Sequence, residues 1–176
     1  MKILLLLPLL AALARVAALP GWWWWGLVFL APALRLIYWE RGGTWKGDLL
    51  GGVVFFALSF RFLEHVAPGM GWAPPLGVGI YLGGWWVVEG WAYRRLRKNM
   101  SPLHAGMMAI LLVEYVRTLA PMGGVPWASF AWGLADLPAV QWVVPVLGES
   151  GISVLVVVLG CSLYQRPSLV RKPLRN

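Results

Sequence analysis

The sequence is poor in the residues that soluble proteins carry on their surfaces. Charged residues make up 12% of the 176 positions, and only seven positions are Asp or Glu, whereas soluble domains have roughly 25% charged residues. Hydrophobic residues make up 60%, and the mean hydropathy is +0.70. Because one soluble core cannot bury that much apolar surface, the composition excludes an ordinary soluble domain and predicts an integral membrane protein.

Cysteine and histidine are nearly absent. Cys161 is the single cysteine, and the two histidines, His65 and His104, are far apart. A disulfide needs a second cysteine and a metal site needs grouped ligands, so the sequence excludes a disulfide scaffold and predicts no metal site and no cofactor. A Gly-rich phosphate loop, a nucleophile elbow and a Ser/His/Asp grouping are missing as well.

Six segments are long or apolar enough to cross a membrane as helices, which takes about 20 residues with a range of about 17–25. They cover residues 3–19, 22–39, 48–66, 74–93, 103–121 and 140–164. The first also has features of a cleaved signal peptide, although Arg15 interrupts its apolar stretch. The predicted fold is all-α, a polytopic membrane helix bundle of about six transmembrane helices in one domain over residues 1–165.

Lysine and arginine occur in every second connection between the segments, and therefore on one predicted side of the membrane. They occur before the first segment, between the second and third, between the fourth and fifth, and after the sixth. The connections around 20–21, 67–73 and 122–139 contain none. Under the positive-inside rule both termini are cytoplasmic, and residues 166–176 form a basic cytoplasmic tail. The net charge of +8 therefore reflects membrane orientation, and no nucleic-acid partner is predicted.

Glutamates inside the predicted helices are candidate functional residues. A charge at a helix centre costs about 2.5–3.5 kcal/mol unless it is paired or faces a wet cavity. Glu114 and Arg117 are three residues apart and would share a helix face, as would Arg61 and Glu64. Each pair either neutralises itself and stabilises packing, or serves a function. Glu149 has no basic neighbour in the sequence, and we expect it to pair with Arg117 across helices.

The segment GGVPWASFAW, residues 123–132, separates two apolar runs. Its two glycines permit a sharp reversal of the chain, and Pro126 fixes its own backbone angle. Trp127 and Trp132 can rest at the lipid boundary with their N–H groups in water. We expect a short interfacial element on the outer leaflet; a plain connecting loop anchored by indoles is the alternative.

Three motifs occur in a fixed order along the second half of the chain. They are Glu114-Tyr115-Val116-Arg117, Gly124-Val125-Pro126-Trp127 and Leu147-Gly148-Glu149-Ser150-Gly151-Ile152-Ser153. The series resembles the membrane domain of apolipoprotein N-acyltransferase, the family that adds the third acyl chain to bacterial lipoproteins. The likeness covers about 45–165, is best at 110–155 and is weak before residue 40. Val125 departs from the family pattern, which usually has Phe there.

The resemblance implies a multi-pass protein of the bacterial cytoplasmic (inner) membrane with a role in lipoprotein maturation. Membrane phospholipid and lipoprotein acyl chains are the implied partners. The surface expected to bind lipid, or to be structural, contains Glu114, Arg117, Pro126, Trp127, Trp132 and Glu149.

The family's chemistry is carried by a nitrilase-like domain with a Glu-Lys-Cys triad. Here the four lysines fall on the predicted cytoplasmic side and Cys161 lies towards the cytoplasmic end of the last helix, whereas a thiolate nucleophile needs a base or cation close by. We therefore expect no catalytic residue in this chain and no activity from it alone. A separately encoded nitrilase-like subunit is the expected partner. The alternatives are a non-enzymatic scaffold or lipid-binding module and, less favoured, a small transporter.

Overall fold

The structure is a computed structural model that describes residues 3–21, 24–119, 125 and 127–165. These residues are all-helical and contain no strand, which confirms the predicted class. The α-helices are α1 (Leu6–Ala17), α2 (Leu30–Glu40), α3 (Trp45–Ser59), α4 (Leu63–Val66), α5 (Ala73–Leu96), α6 (Pro102–Leu119) and α7 (Pro138–Ser162). Short 3₁₀ helices cover Ile3–Leu5, Trp25–Phe29, Phe130–Leu134 and Leu163–Gln165. The predicted basic tail, 166–176, lies outside the described residues.

The α-helices follow the six predicted segments, with two clear shifts. The second segment was expected to begin at residue 22, but α2 begins at Leu30, after the 3₁₀ helix Trp25–Phe29. The third segment was expected to reach residue 66, but α3 ends at Ser59. Arg61 is exposed and Glu64 is half-buried beyond that end, and no ion pair joins them. Charged side chains are costly within an apolar span, so the helix stops before they begin and they reach solvent separately.

Within the described part of the chain, one helix is long and apolar enough to cross a membrane by length and composition alone. It is α7, with a mean hydropathy of 2.1. Helices α1, α2 and α3 have only 12, 11 and 15 residues, and α5 and α6 are long enough but not apolar enough. The bundle of six crossings therefore remains a prediction, as does the cytoplasmic position of the termini.

Proline sets the start of the three longest helices, because its fixed φ suits a first turn where its missing N–H is not needed. Helices α5, α6 and α7 all have proline in the first turn. Ser101 additionally caps α6, since its hydroxyl oxygen accepts the His104 N–H at 3.3 Å.

Helices α3 and α5 are in direct backbone contact, and glycine makes this possible. A Cβ on Gly52 would lie 2.7 Å from the Gly83 carbonyl oxygen, and one on Gly83 would lie 2.8 Å from the Val53 amide nitrogen. Small residues that let backbones approach are the usual basis of helix association in lipid. Helix α1 packs against this pair at Gly51, where a Cβ would lie 2.9 Å from the Pro8 carbonyl oxygen.

Replacement of Gly83 by alanine tests this backbone contact. We expect Gly83→Ala to destabilise the bundle by about 1–3 kcal/mol, because an inserted methyl forces packed backbones apart. The measurement is the thermal midpoint of the detergent-solubilised protein. Gly84→Ala is the matched control, since a Cβ there meets nothing within 4 Å; equal midpoints for the two variants would contradict the close packing.

Candidate functional site

The loop between α6 and α7 is the centre of the candidate site. Residues 125 and 127–137 of this α6–α7 loop are described, and Pro126, one of the predicted site residues, lies outside them. Ala128 has a φ of 59°, a left-handed conformation that costs a residue with a Cβ about 1–2 kcal/mol. Other interactions must therefore hold the loop in place, and three buried charged side chains do so.

Arg117, at the end of α6, binds the beginning of the loop. Its guanidinium donates to the Val125 carbonyl and, at 2.8 Å, to the Trp127 carbonyl. The Arg117 carbonyl in turn accepts the Val125 N–H at 2.8 Å. Arg117 is only 3% exposed, so it serves as an internal clamp on the loop backbone.

Glu114, one turn earlier on α6, binds the middle of the loop. Its Oε1 accepts the Phe130 N–H at 2.8 Å and the Ser153 hydroxyl of α7 at 3.2 Å. The Arg15 guanidinium of α1 lies 3.9 Å from the same oxygen. One carboxylate therefore links α1, α6, α7 and the loop.

Arg15 completes the arrangement from α1. It donates to the Ala128 carbonyl at 2.8 Å, and its guanidinium lies over the rings of Phe130 and Phe55 at 3.6 and 4.5 Å. Arg15 and Glu114 are 4% and 7% exposed. The bond to Ala128 fixes the residue that has the left-handed backbone.

These partners differ from those predicted from sequence spacing. Glu114 and Arg117 share a helix face and were expected either to neutralise each other or to serve a function; in the structure Glu114 pairs with Arg15 and Arg117 binds main-chain carbonyls. The expected ion pair between Glu149 and Arg117 is not formed. Instead the Ser129 hydroxyl donates to Glu149 at 2.5 Å. The physical reason is the loop: its buried carbonyls and N–H groups need partners and take the nearest charged side chains.

Glu149 lies directly after a break in α7. Gly148 has φ 66° and ψ 175° inside the helix, and Pro145 precedes it. Proline removes a helical hydrogen-bond donor, and glycine adopts a positive φ without steric cost, so the two together interrupt the helix. Residues 141–150 are exposed throughout, which leaves the first part of α7 outside the packed bundle.

A groove of about 930 Å³ opens on one side of the loop. We call it the loop groove. It lies between the ends of α1 and α3, and its lining includes Leu13, Leu58, Phe60, Phe62, Trp127 and Trp132. Trp127 stacks on Phe60 with 5.9 Å between ring centroids. Arg61 lies at the same groove.

A second cavity of about 430 Å³ lies on the other side, between α6 and α7. We call it the α6–α7 cleft. Glu114, Ser129, Glu149 and Ser153 line it together with apolar residues of α6. Ala128 lines the loop groove and Ser129 lines the cleft, so the loop separates the two cavities.

Among the predicted site residues, the structure brings Glu114, Arg117, Trp127 and Glu149 to this loop. Trp132 is also there, at the end of the loop groove. The expected short element is present as the 3₁₀ helix Phe130–Leu134; its position at a membrane interface remains a prediction. Across the described ranges, no group of three or more His, Cys, Asp or Glu residues could hold a metal ion.

A second buried charge network was not predicted from the sequence. Arg35 of α2 pairs with Glu89 of α5 and lies 3.6 Å from Asp48 of α3. The Trp39 indole donates to Asp48 at 2.9 Å. The signal was present, since both Arg35 and Glu89 interrupt apolar runs. These residues line neither cavity, and their contacts bind helices together.

Many large apolar side chains of the bundle are exposed, whereas charged side chains such as Arg15, Arg35 and Glu114 are buried, which is the distribution expected of helices that face lipid. The family model for the apolipoprotein N-acyltransferase N-terminal domain matches residues 6–162. The chain therefore belongs to the apolipoprotein N-acyltransferase N-terminal domain family. The match reaches much further towards the N-terminus than the expected limit near residue 45. No curated protein and no solved structure matches the chain significantly.

Replacement of Arg117 by methionine tests the clamp on the loop. Arg117→Met leaves the Val125 and Trp127 carbonyls without their donor, which costs about 1–3 kcal/mol. We expect amide hydrogen exchange over 127–134 to accelerate roughly tenfold or more, while exchange in α3 and α5 stays unchanged. Arg95→Met, at an exposed arginine of α5, is the control. Uniform acceleration along the chain, or none in the loop, would show that Arg117 does not hold it.

Proposed function

We propose that the protein binds acyl chains of membrane phospholipid or of lipoproteins, and that the loop groove is the binding site. The observation that carries the proposal is an open apolar groove next to Trp127, in the motif through which the chain resembles its family. Membership of the family supports a role in lipoprotein maturation at the bacterial inner membrane.

The size and chemistry of the loop groove fit an acyl chain. Its volume of about 930 Å³ falls in the range of about 300–1,000 Å³ typical of small-molecule sites. Leucine side chains and aromatic rings make most of its wall, and such a surface excludes water. Among the described residues that line this groove, Arg61 is the one cation, and a guanidinium suits a lipid phosphate.

The position of the groove also favours lipid entry. The ends of α1 and α3 and the α6–α7 loop meet there. By the positive-inside rule this end of the bundle is the outer one, because the Lys/Arg-rich connections lie at the other. A lipid of the outer leaflet would insert its chain between α1 and α3 and keep its headgroup near Arg61.

Catalysis is assigned to a separate nitrilase-like subunit. The single cysteine of the chain, Cys161, is buried in α7. The structure describes two lysines, Lys46 at the start of α3 and Lys98 after the end of α5, and the charge pattern places both on the cytoplasmic side. A thiolate nucleophile requires an activating group beside it. The membrane domain would present the acyl chain, and the partner would supply the Glu-Lys-Cys triad.

Photolabelling of the loop groove tests acyl-chain binding. A phospholipid with a diazirine on its acyl chain should label Leu13, Leu58 and Phe62 in the detergent-solubilised chain, read by mass spectrometry of peptides. Leu58→Trp fills the groove and should reduce labelling several-fold. Leu155→Trp, at an exposed site of α7 outside both cavities, should leave it unchanged. Label spread evenly over exposed apolar residues such as Ile80 would refute a specific groove.

Affinity purification from mild detergent tests whether a catalytic partner binds the chain. We expect a nitrilase-like protein with an active-site cysteine to co-purify, and N-acylation of a lipoprotein substrate only when both proteins are present. N-acylation by the isolated chain, or co-purification of lipid without any catalytic protein, would contradict the two-subunit proposal; the second result would favour a binding module.

A further inference from the structure

The first half of α7 is an apolar segment that no other described element covers. Residues 141–150 are exposed without exception, Trp142 and Val146 most of all at 83% and 82%. In the second half of the helix, by contrast, Ile152 and Val156 are buried in the bundle. A helix that is apolar on all sides needs apolar surroundings, which in a membrane are lipid tails or another helix.

The neighbouring side of α6 is exposed as well. Met108, Leu112 and Tyr115 are 48% to 58% exposed, and all three line the α6–α7 cleft. We call these three residues together with 141–150 of α7 the α6–α7 face. A helix laid along this face would contact both α6 and α7, with the cleft beneath it open to one of its side chains.

Glu149 places a carboxylate on this face without a cation beside it. It lies at the middle of the 25-residue α7 and accepts one hydrogen bond, from Ser129. No basic side chain in the described residues is within ion-pair distance of it, because Arg117 is bound to loop carbonyls. A carboxylate inside an apolar helix is costly unless it is paired, so Glu149 favours a cation from another molecule.

A second acceptor lines the same cleft. Glu114 is 7% exposed, and its Oε1 accepts the hydrogen bonds from Phe130 and Ser153. Its buried Oε2 has no hydrogen-bond partner among the described residues. A buried acceptor without a donor is unfavourable, so the cleft offers oxygens of two carboxylates to a side chain with several N–H groups.

We propose that the α6–α7 face binds a transmembrane helix of a partner protein, and that an arginine of that helix enters the cleft. A guanidinium keeps its charge and has five N–H donors in a planar fork, enough for Glu149 and for Oε2 of Glu114. Apolar side chains of the partner pack along Val146 and Leu112. This interaction surface goes beyond the acyl-chain function of the loop groove and does not depend on it.

A second copy of the chain fits this face poorly. Two copies in one membrane have the same orientation, so a two-fold axis between them runs along the membrane normal and brings equivalent residues together at one depth. Glu149 of one copy would then face Glu149 of the other, and like charges repel. Lipid tails cover the apolar side chains but bring no cation. A helix with an arginine satisfies both requirements.

Photo-crosslinking of model helices to the full chain in phosphatidylcholine vesicles tests the proposal. The probes are synthetic transmembrane peptides of leucine and alanine with lysines at both ends and a diazirine-bearing leucine. One residue near the centre, or one turn to either side of it, is arginine, leucine or glutamate. We expect the arginine peptides to give the strongest cross-links, mapped by mass spectrometry to Val146, Leu147 and Leu112. Glu149→Gln should reduce these cross-links roughly tenfold and leave those of the leucine peptides unchanged.

Glu64→Gln, at a half-buried carboxylate outside both cavities, is the matched control and should have no effect. The comparison of the three peptides on the unaltered chain needs no variant, so a folding defect in Glu149→Gln does not conceal the result. Equal cross-linking by all three peptides would show that the face meets lipid alone and would overturn the proposal. Cross-links of the arginine peptides spread over other exposed residues, such as Ile80 of α5, would overturn it as well.

Discussion

The buried carboxylate of Glu114 is the constraint on which the candidate site depends. It joins α1 through Arg15, α7 through Ser153 and the α6–α7 loop through the Phe130 N–H. Removal of one member of such a buried group costs about 3–5 kcal/mol, because it leaves the other charge without compensation. The shape of both cavities follows from this contact, since the loop it holds forms a wall of each.

In a membrane, charge networks of this kind gain importance because lipid removes the usual driving force for helix association. Lipid tails are as apolar as leucine side chains, so helices associate through close packing and interhelical polar contacts. The glycine contacts between α3 and α5 provide the close packing. The networks around Arg35 and around Glu114 provide the polar contacts, and each network joins three helices.

Much of the fold could be predicted from the sequence, whereas the partners in the site could not. Apolar run length located the long helices, and the Pro-Trp step located the loop. Spacing within a helix shows which side chains share a face, but it cannot show which distant side chain meets them. Arg15 seemed only to interrupt an apolar run, yet it donates to Ala128, 113 positions along the chain. Gly148 was recognised as part of a motif, but its break of α7 depends on a positive φ that composition does not reveal.

The peptide between Ala128 and Ser129 belongs to both cavities, since one residue faces each. Ala128 holds a left-handed backbone at a cost of about 1–2 kcal/mol, which the hydrogen bond from Arg15 to its carbonyl opposes. A ligand that changed the conformation of this peptide from one cavity would change the affinity of the other cavity. Thermodynamic linkage makes that change reciprocal, and the two cavities would then communicate through a single peptide unit without movement of any helix.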